Sequence, residues 1–174
     1  QRWGLPVSGW IAATNDNDII PQYLNSGKFN PKPSIRTLSN AMDVGNPSNF
    51  ERILALFDNS HEQIKNLVHG YSISDKETLL TMKSVYDETG YLLDPHTAVG
   101  VAATKKFYKH SSKQNIPTII LSTAHPAKFP EIVKKATGQD PILPKSLDDL
   151  LHLPKKSTQI KSLTELQEFV KQFL

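Results

Sequence analysis

Three clusters of polar residues in this chain have the composition of anion-binding or acid–base sites. They are Thr14-Asn15-Asp16-Asn17-Asp18, Asp94-Pro95-His96-Thr97 and Ser122-Thr123-Ala124-His125-Pro126. Each joins hydroxyl, amide or imidazole groups to a predicted helix start, where free backbone N–H groups favour phosphate or carboxylate. His96 and His125 are candidate acid–base groups because imidazole titrates near neutral pH. In the structural alternative, Asn15 or Asp16, Asp94, and Ser122 or Thr123 cap helices, and the histidines only make hydrogen bonds.

The elements around these clusters predict where they lie. Apolar runs predict a buried strand at Val7–Ala13, a short strand at Tyr71–Ile73 and a strand at Pro117–Ser122, and Tyr91–Leu93 is expected to be a brief extended piece. Helical spacing of apolar residues predicts helices at 19–26, from 47, near 64–68, at 74–89, from 94, at 126–136 and at 163–174. Capping boxes are expected at Ser74 with Glu77 and at Ser162 with Glu165, and Gly138 is expected to end the helix at 126–136. The small residues at 98, 100, 102 and 103 predict that the helix from 94 packs closely against a neighbour. This alternation indicates an α/β fold with a mainly parallel sheet, in which ligands bind at the carboxyl ends of the strands.

Composition excludes several functional classes. The 174 residues are 38% hydrophobic and 21% charged, which is typical of a globular protein rather than a disordered or coiled-coil chain. A net charge of +3 is too small to indicate nucleic-acid binding, and no apolar run has the roughly 18–20 residues of a membrane span. There are no cysteines and no paired metal-ligand spacings, so we expect no metal site, and a reducing, cytoplasmic location fits.

The two ends of the chain differ from its middle. From Gln139 to Thr158 the composition shifts to Pro, Lys, Ser and Asp, which predicts a surface strap with a helical turn near 147–151 before the C-terminal helix. We therefore predict two parts, residues 1–138 and 139–174. Gln1-Arg2-Trp3-Gly4-Leu5-Pro6 is typical of a helix end leading into a strand, without an initiator Met. We expect the sequence to be the C-terminal part of a longer protein.

Four motifs, in order and with matching spacing, give the chain a resemblance to a known family. They are residues 13–19 (ATNDNDI), 37–44 with 47–52 (TLSNAMDV and PSNFER), 94–100 (DPHTAVG) and 122–129 (STAHPAKF). Together they resemble threonine synthase, in particular the C-terminal part of its longer microbial and fungal type. The resemblance covers roughly residues 3 to 138, whereas residues 139–174 are not distinctive.

The resemblance implies a fold, a cofactor and a reaction. The fold is a three-layer α/β/α arrangement like that of the tryptophan synthase β subunit, which binds pyridoxal phosphate. The reaction converts O-phosphohomoserine and water to threonine and phosphate. In the family the Schiff-base lysine and the Gly-Asn-rich loop for the cofactor phosphate lie upstream of the point where this sequence begins, and no lysine here matches that motif. The upstream portion of the same chain is therefore an expected partner.

The resemblance also assigns residues to the site. Thr123 takes the position of the hydroxyl that hydrogen-bonds the pyridine nitrogen, and Asp94, His96 and Thr97 line the cofactor ring. Polar contacts to the substrate phosphate or cofactor are expected from four residues, Asn15, Asn17, Lys28 and Arg36, the last two because a leaving phosphate needs cationic stabilisation. The alternative for these two cations is simple solvation.

Two other interpretations of the function stay open. One is a catalytically inactive threonine-synthase-like module that binds a phosphorylated ligand or a partner chain. The other is a related lyase acting on a different phosphorylated amino acid. A lysine and a phosphate loop upstream of Gln1 would favour an enzyme, and their absence would favour the binding module.

Overall fold

Two parallel strands lie at the centre of the fold. The computed structural model describes Gly4, residues 6–111 and residues 116–173. Strand β1 (Trp10–Thr14) pairs with β2 (Val68–Ser72), residue against residue from Trp10 and Val68 to Thr14 and Ser72. Both strands were predicted, although β1 begins three residues later than expected and β2 three residues earlier. Pairing sets these ends, and apolar content alone does not reveal the pairing register.

Three helices connect the two strands. They are α1 (Ile19–Ser26), α2 (Phe50–Leu56) and α3 (His61–Leu67). All three were predicted, although α2 begins at Phe50 rather than at 47, and Val68, which was expected in the third helix, is the first residue of β2. Their apolar faces meet in a cluster of buried side chains, Tyr23, Leu24, Phe50 and Ile64. Helix α1 packs against β2 through Gly70, where an added Cβ would lie 2.9 Å from the Cα of Pro21. This cluster covers one side of the strand pair.

Helices α4 (Asp75–Thr89) and α5 (Pro95–His110) follow β2. The predicted capping box of α4 is confirmed, since Ser74 accepts from the backbone of Glu77 and the Glu77 carboxylate accepts from the backbone of Ser74. Helix α5 packs on the strands through Val99, Ala102 and Ala103, in one cluster with Ile73. Small side chains allow this close approach, as the sequence predicted.

The helix predicted at 126–136 is interrupted. A 3₁₀ turn (Pro126–Lys128) comes first, and α6 (Pro130–Thr137) begins at a proline, which has no backbone N–H to continue a preceding helix. Helix α6 ends at Gly138, whose φ of +73° is left-handed, as the sequence predicted. Val133 of α6 packs with Met82, Leu93 and Ala98 in a third buried cluster.

The predicted strand at Pro117–Ser122 is wrong. It pairs with no strand among the described residues, and neither it nor Tyr91–Leu93 forms a strand there. Ile119 and Leu121 on its outer side are 88% and 76% exposed. The inner side faces α5, because a Cβ added at Gly100 would lie 3.0 Å from Ile120. An apolar, β-branched run has the propensity for a strand, but a strand also needs a hydrogen-bonding neighbour.

The chain divides into two compact units, Gln1–Ile142 and Leu143–Leu174. The second unit contains α7 (Lys145–Leu151) and α8 (Leu163–Lys171), close to the predicted turn and helix. Ser162 caps α8 as predicted, and the Glu165 carboxylate accepts the backbone N–H of Lys161. The predicted helix end at Leu174, and most of residues 1–6, lie outside the described residues. No described helix is long and apolar enough to cross a membrane.

Candidate functional site

The carboxyl ends of β1 and β2 are joined by hydrogen bonds and form one edge. The backbone N–H of Ile73 donates to the carbonyl of Thr14 at 2.9 Å, and the Ser72 hydroxyl donates to the carbonyl of Asn15 at 3.1 Å. The first polar cluster therefore lies at the sheet edge where ligands bind in α/β folds, as expected.

The side chains of Asn15 and Asn17 are buried at this edge and bind a loop. Asn15 donates to the Thr37 hydroxyl at 2.7 Å and to the Asp43 carboxylate at 2.8 Å. The side-chain carbonyl oxygen of Asn15 accepts hydrogen bonds from both the backbone N–H and the side-chain amide of Asn17, each at 2.9 Å. The capping alternative for Asn15 or Asp16 is wrong, because the residue before α1 is Asp18 and it makes no side-chain cap bond.

Residues 35–43, called the 35–43 loop below, are fastened at several points. Asn17 exchanges two hydrogen bonds with the backbone of Ile35, at 2.7 and 2.8 Å. Asp75, the first residue of α4, accepts the backbone N–H of Leu38 at 2.9 Å. Met42 packs into the cluster under α5. The loop therefore has a fixed position over the strand ends. Four residues that hold it were not predicted as site residues, namely Thr37, Ser39, Asp43 and Asp75.

The N-terminus of α5 is capped by Asp94. This carboxylate is 1% exposed and accepts the backbone N–H groups of His96 at 2.9 Å and of Thr97 at 3.3 Å. The Thr97 hydroxyl also donates to it. The capping alternative is therefore confirmed for Asp94. Because its oxygens are committed within the chain, Asp94 forms a buried wall beside the start of α5.

Both ring nitrogens of His96 are occupied. Nδ1 lies 3.0 Å from the Asp94 carboxylate, and Nε2 lies 3.1 Å from the backbone N–H of Ala41. A backbone N–H only donates, so Nε2 accepts and the ring proton resides on Nδ1. The ring also packs against Phe129 at 4.9 Å between centroids. His96 is thus a buried connection between segments, and neither of its ring nitrogens is left free for acid–base chemistry.

The third polar cluster adjoins α5. The Ser122 hydroxyl lies 3.4 Å from that of Thr97, and the next residue, Thr123, is exposed with no hydrogen bond from its hydroxyl to the described part of the chain. His125 accepts the backbone N–H of Ala127 at 3.1 Å and caps the 3₁₀ turn. The capping alternative for Ser122 or Thr123 is therefore wrong, because the residue that caps the turn after this segment is His125.

The two candidate phosphate-binding cations are exposed. Neither the Lys28 ammonium nor the Arg36 guanidinium has a partner among the described residues. Arg36 lies between two residues whose backbone N–H groups are held, Ile35 by Asn17 and Thr37 by Asp43. Lys106, by contrast, is paired with Glu77 at 2.7 Å. Arg36 is therefore the cation that the 35–43 loop presents from a fixed backbone.

Acidic groups collect on one side of the strand ends. Partial burial, and then the charges of Asp75, Asp18 and Glu77, raise the pKa of Asp16. Burial alone would raise the pKa of Glu77, but the hydrogen bonds from Lys106 and Ser74 lower it overall. An anionic ligand is disfavoured beside Asp16. The described residues contain no group of three side chains suited to hold a metal ion.

The comparisons with known proteins find similarity to threonine synthases. Residues 97–170 match the family model described as threonine synthase, C-terminal. The chain is 41% identical over 168 residues to threonine synthase of Serratia marcescens and 33% identical over 201 residues to that of Saccharomyces cerevisiae. These alignments cover 96% and 90% of this chain but only 38% and 39% of the relatives.

Solved structures show the same similarity. Yeast threonine synthase matches 99% of this chain with a TM-score of 0.80 and 31% identity, and this chain covers 42% of it. The threonine synthase of Brucella melitensis, solved with PLP bound, matches 98% with a TM-score of 0.78 and 33% identity, over 41% of its length.

The fold is thus an α/β domain similar to part of these threonine synthase structures. The chain matches the C-terminal part of threonine synthases, which confirms the resemblance predicted from the sequence, and it spans about two fifths of the length of its relatives.

Proposed function

We propose that this chain is part of a pyridoxal-phosphate-dependent threonine synthase, a lyase that converts O-phosphohomoserine and water to threonine and phosphate. The observation that carries the proposal is the exposed hydroxyl of Thr123, which has no hydrogen bond to the described residues and follows Ser122 beside the start of α5, in a fold similar to that of threonine synthases. Because the chain covers only part of its relatives, the remaining catalytic groups are assigned to an upstream portion of the same polypeptide. A cytoplasmic location is part of the proposal and is supported by the absence of cysteine.

The donor set at this site fits the cofactor. The Thr123 hydroxyl is a neutral donor suited to the pyridine nitrogen, whereas the Asp94 carboxylate is buried and committed to the cap of α5. Asp94, His96 and Thr97 would form the wall beside the ring. When bound, pyridoxal phosphate supplies an electron sink for the removal of a proton from the substrate carbon that bears the amino group. A hydroxyl partner leaves the ring nitrogen largely unprotonated and moderates that sink.

We propose that the two exposed cations, Arg36 and Lys28, bind the phosphate of the substrate. Arg36 is the stronger candidate because its neighbours are hydrogen-bonded, so less conformational freedom is lost when a phosphate binds. Lys28 follows Gly27 at the end of α1 and is a second candidate. The amides of Asn15 and Asn17 already have partners in the 35–43 loop. We propose that they serve the substrate by holding the loop that carries Arg36.

The exposed apolar side of residues 117–122 supports completion by an upstream portion of the chain. Ile119 and Leu121 are among the most exposed large apolar side chains, and the backbone between them has no strand partner in the described structure. An exposed apolar segment with strand propensity and no backbone partner among the described residues suits pairing with a strand of the upstream portion. The division at residue 138 stays a prediction.

The test uses the protein at the length in which its source makes it. Incubation with O-phosphohomoserine and pyridoxal phosphate should release threonine and phosphate in equal amounts. Thr123→Val should lower kcat by about 10- to 100-fold with an unchanged circular dichroism spectrum, because one donor to the cofactor is lost. Thr123→Ser keeps the hydroxyl and should retain most of the activity. Unchanged turnover in Thr123→Val would overturn the assignment, and cofactor binding without any product would favour the inactive binding module.

A further inference from the structure

The ring of His96 is the point at which three segments of the fold meet. Its Nδ1 binds the capping carboxylate of Asp94 at 3.0 Å, its Nε2 binds the backbone N–H of Ala41 at 3.1 Å, and its face packs on Phe129. These partners belong to the start of α5, to the 35–43 loop and to the segment that follows Ser122-Thr123. One buried imidazole thus connects the start of α5, the 35–43 loop and the segment that contains Phe129.

The bond to Ala41 fixes a particular turn. Ala41 lies in the 3₁₀ turn Asn40–Met42, and Met42 packs into the buried cluster under α5. Asn40, the residue before Ala41, is exposed, and its side-chain amide has no hydrogen bond to the described residues. His96 and Met42 therefore hold the buried side of the turn, while Asn40 is exposed to solvent.

We propose that His96 is a positioning residue that holds the turn Asn40–Met42 so that the Asn40 side chain and the adjacent loop are pre-arranged for substrate. This inference rests on the proposed function, since the substrate is the phosphorylated amino acid assigned above. His96 acts through Ala41 rather than by proton transfer, because both of its nitrogens are used in the fold. The acceptor at Nε2 is the functional part of the ring.

Two variants separate this role from a merely structural one. His96→Asn places an amide N–H near the position of Nδ1 and keeps the bond to Asp94, but it has no acceptor for Ala41. His96→Gln reaches the position of Nε2 and keeps an acceptor for Ala41, but it loses the bond to Asp94. Both variants lose the ring contact with Phe129, so each serves as the control of the other.

The first measurement is amide hydrogen exchange of Ala41 in the natural-length protein without substrate. Loss of one hydrogen bond should speed exchange by about fivefold to tenfold in His96→Asn. Exchange in His96→Gln should stay within about twofold of the parent. Equal exchange in His96→Asn and the parent, or faster exchange in His96→Gln than in His96→Asn, would overturn the inference.

The second measurement is the steady-state kinetics of threonine formation. KM for O-phosphohomoserine should be about fivefold higher in His96→Asn than in His96→Gln, with equal kcat in the two variants, because only His96→Gln keeps an acceptor for Ala41 and the lost binding is common to ground state and transition state. Both variants lose the ring, so the comparison isolates the bond to Ala41, and equal KM values in the two variants would overturn the inference. A parent that makes no threonine overturns the proposed function instead, while the exchange data still decide whether His96 holds the turn.

Discussion

Removal of the Asn15 side chain should show how strongly the 35–43 loop is fastened to the sheet edge. Asn15 is 1% exposed, and in Asn15→Ala it loses its bonds to Thr37 at 2.7 Å, to Asp43 at 2.8 Å and from the backbone of Asn17 at 2.9 Å. A neutral hydrogen bond contributes about 1 kcal/mol and one to a charged group about 2 kcal/mol. The three lost bonds together would amount to about 4 kcal/mol, but Asp43 keeps its bonds from Thr37 and Asn17, so its lost bond counts as about a neutral one and we expect a loss of about 3 kcal/mol.

The assay is urea unfolding of the natural-length protein, with the free energy of unfolding extrapolated to water and the m-value compared. Asn40→Ala is the matched control, since it removes an exposed amide of the same loop and should change stability by less than about 0.5 kcal/mol. A loss below about 1 kcal/mol in Asn15→Ala, at an unchanged m-value, would refute the claim that these bonds hold the loop.

Two further pairs of variants test predictions about stability. In Gly45→Ala the new Cβ would lie 1.9 Å from the carbonyl oxygen of Lys32, so the backbone must move, and thermal unfolding should show a loss of about 2–3 kcal/mol. Gly90→Ala, where nothing lies within 4 Å, should cost only about 1 kcal/mol for its positive φ. The raised pKa of Asp16 means that its ionised form destabilises the fold, so Asp16→Asn should stabilise the protein at pH 7 and lose that advantage as the pH falls to the ordinary carboxyl range. Glu77→Gln should do the opposite, destabilising at pH 7 and not at low pH, because the pKa of Glu77 is lowered. The same pH trend for both variants would contradict these assignments.

Features that depend on neighbouring residues in the sequence were predictable. The capping box of Ser74 and Glu77 joins residues three apart, and the left-handed ends at Gly27 and Gly138 follow from single glycines after apolar helices. The same holds for Asp94, which caps the helix that begins at the next residue. Local chemistry decides each of these features, so the sequence contains the whole signal.

Features that depend on distant residues were not predictable. The amide of Asn15 finds its partners 22 and 28 residues away, so their contact follows from the path of the loop and not from spacing. The sequence predicts His96 as a candidate acid–base group because the partner of its second nitrogen, the backbone N–H of Ala41, is 55 residues away. Residues 117–122 have strand propensity, but no described strand lies beside them to pair with.

The proposed contact between Thr123 and the pyridine nitrogen of the cofactor is measured directly by a crystal structure of the natural-length protein with pyridoxal phosphate bound. We expect a distance of about 2.7–3.1 Å between the Thr123 hydroxyl and the pyridine nitrogen, within the range of a hydrogen bond. A ring bound elsewhere, or a carboxylate in place of Thr123 at that nitrogen, would contradict it.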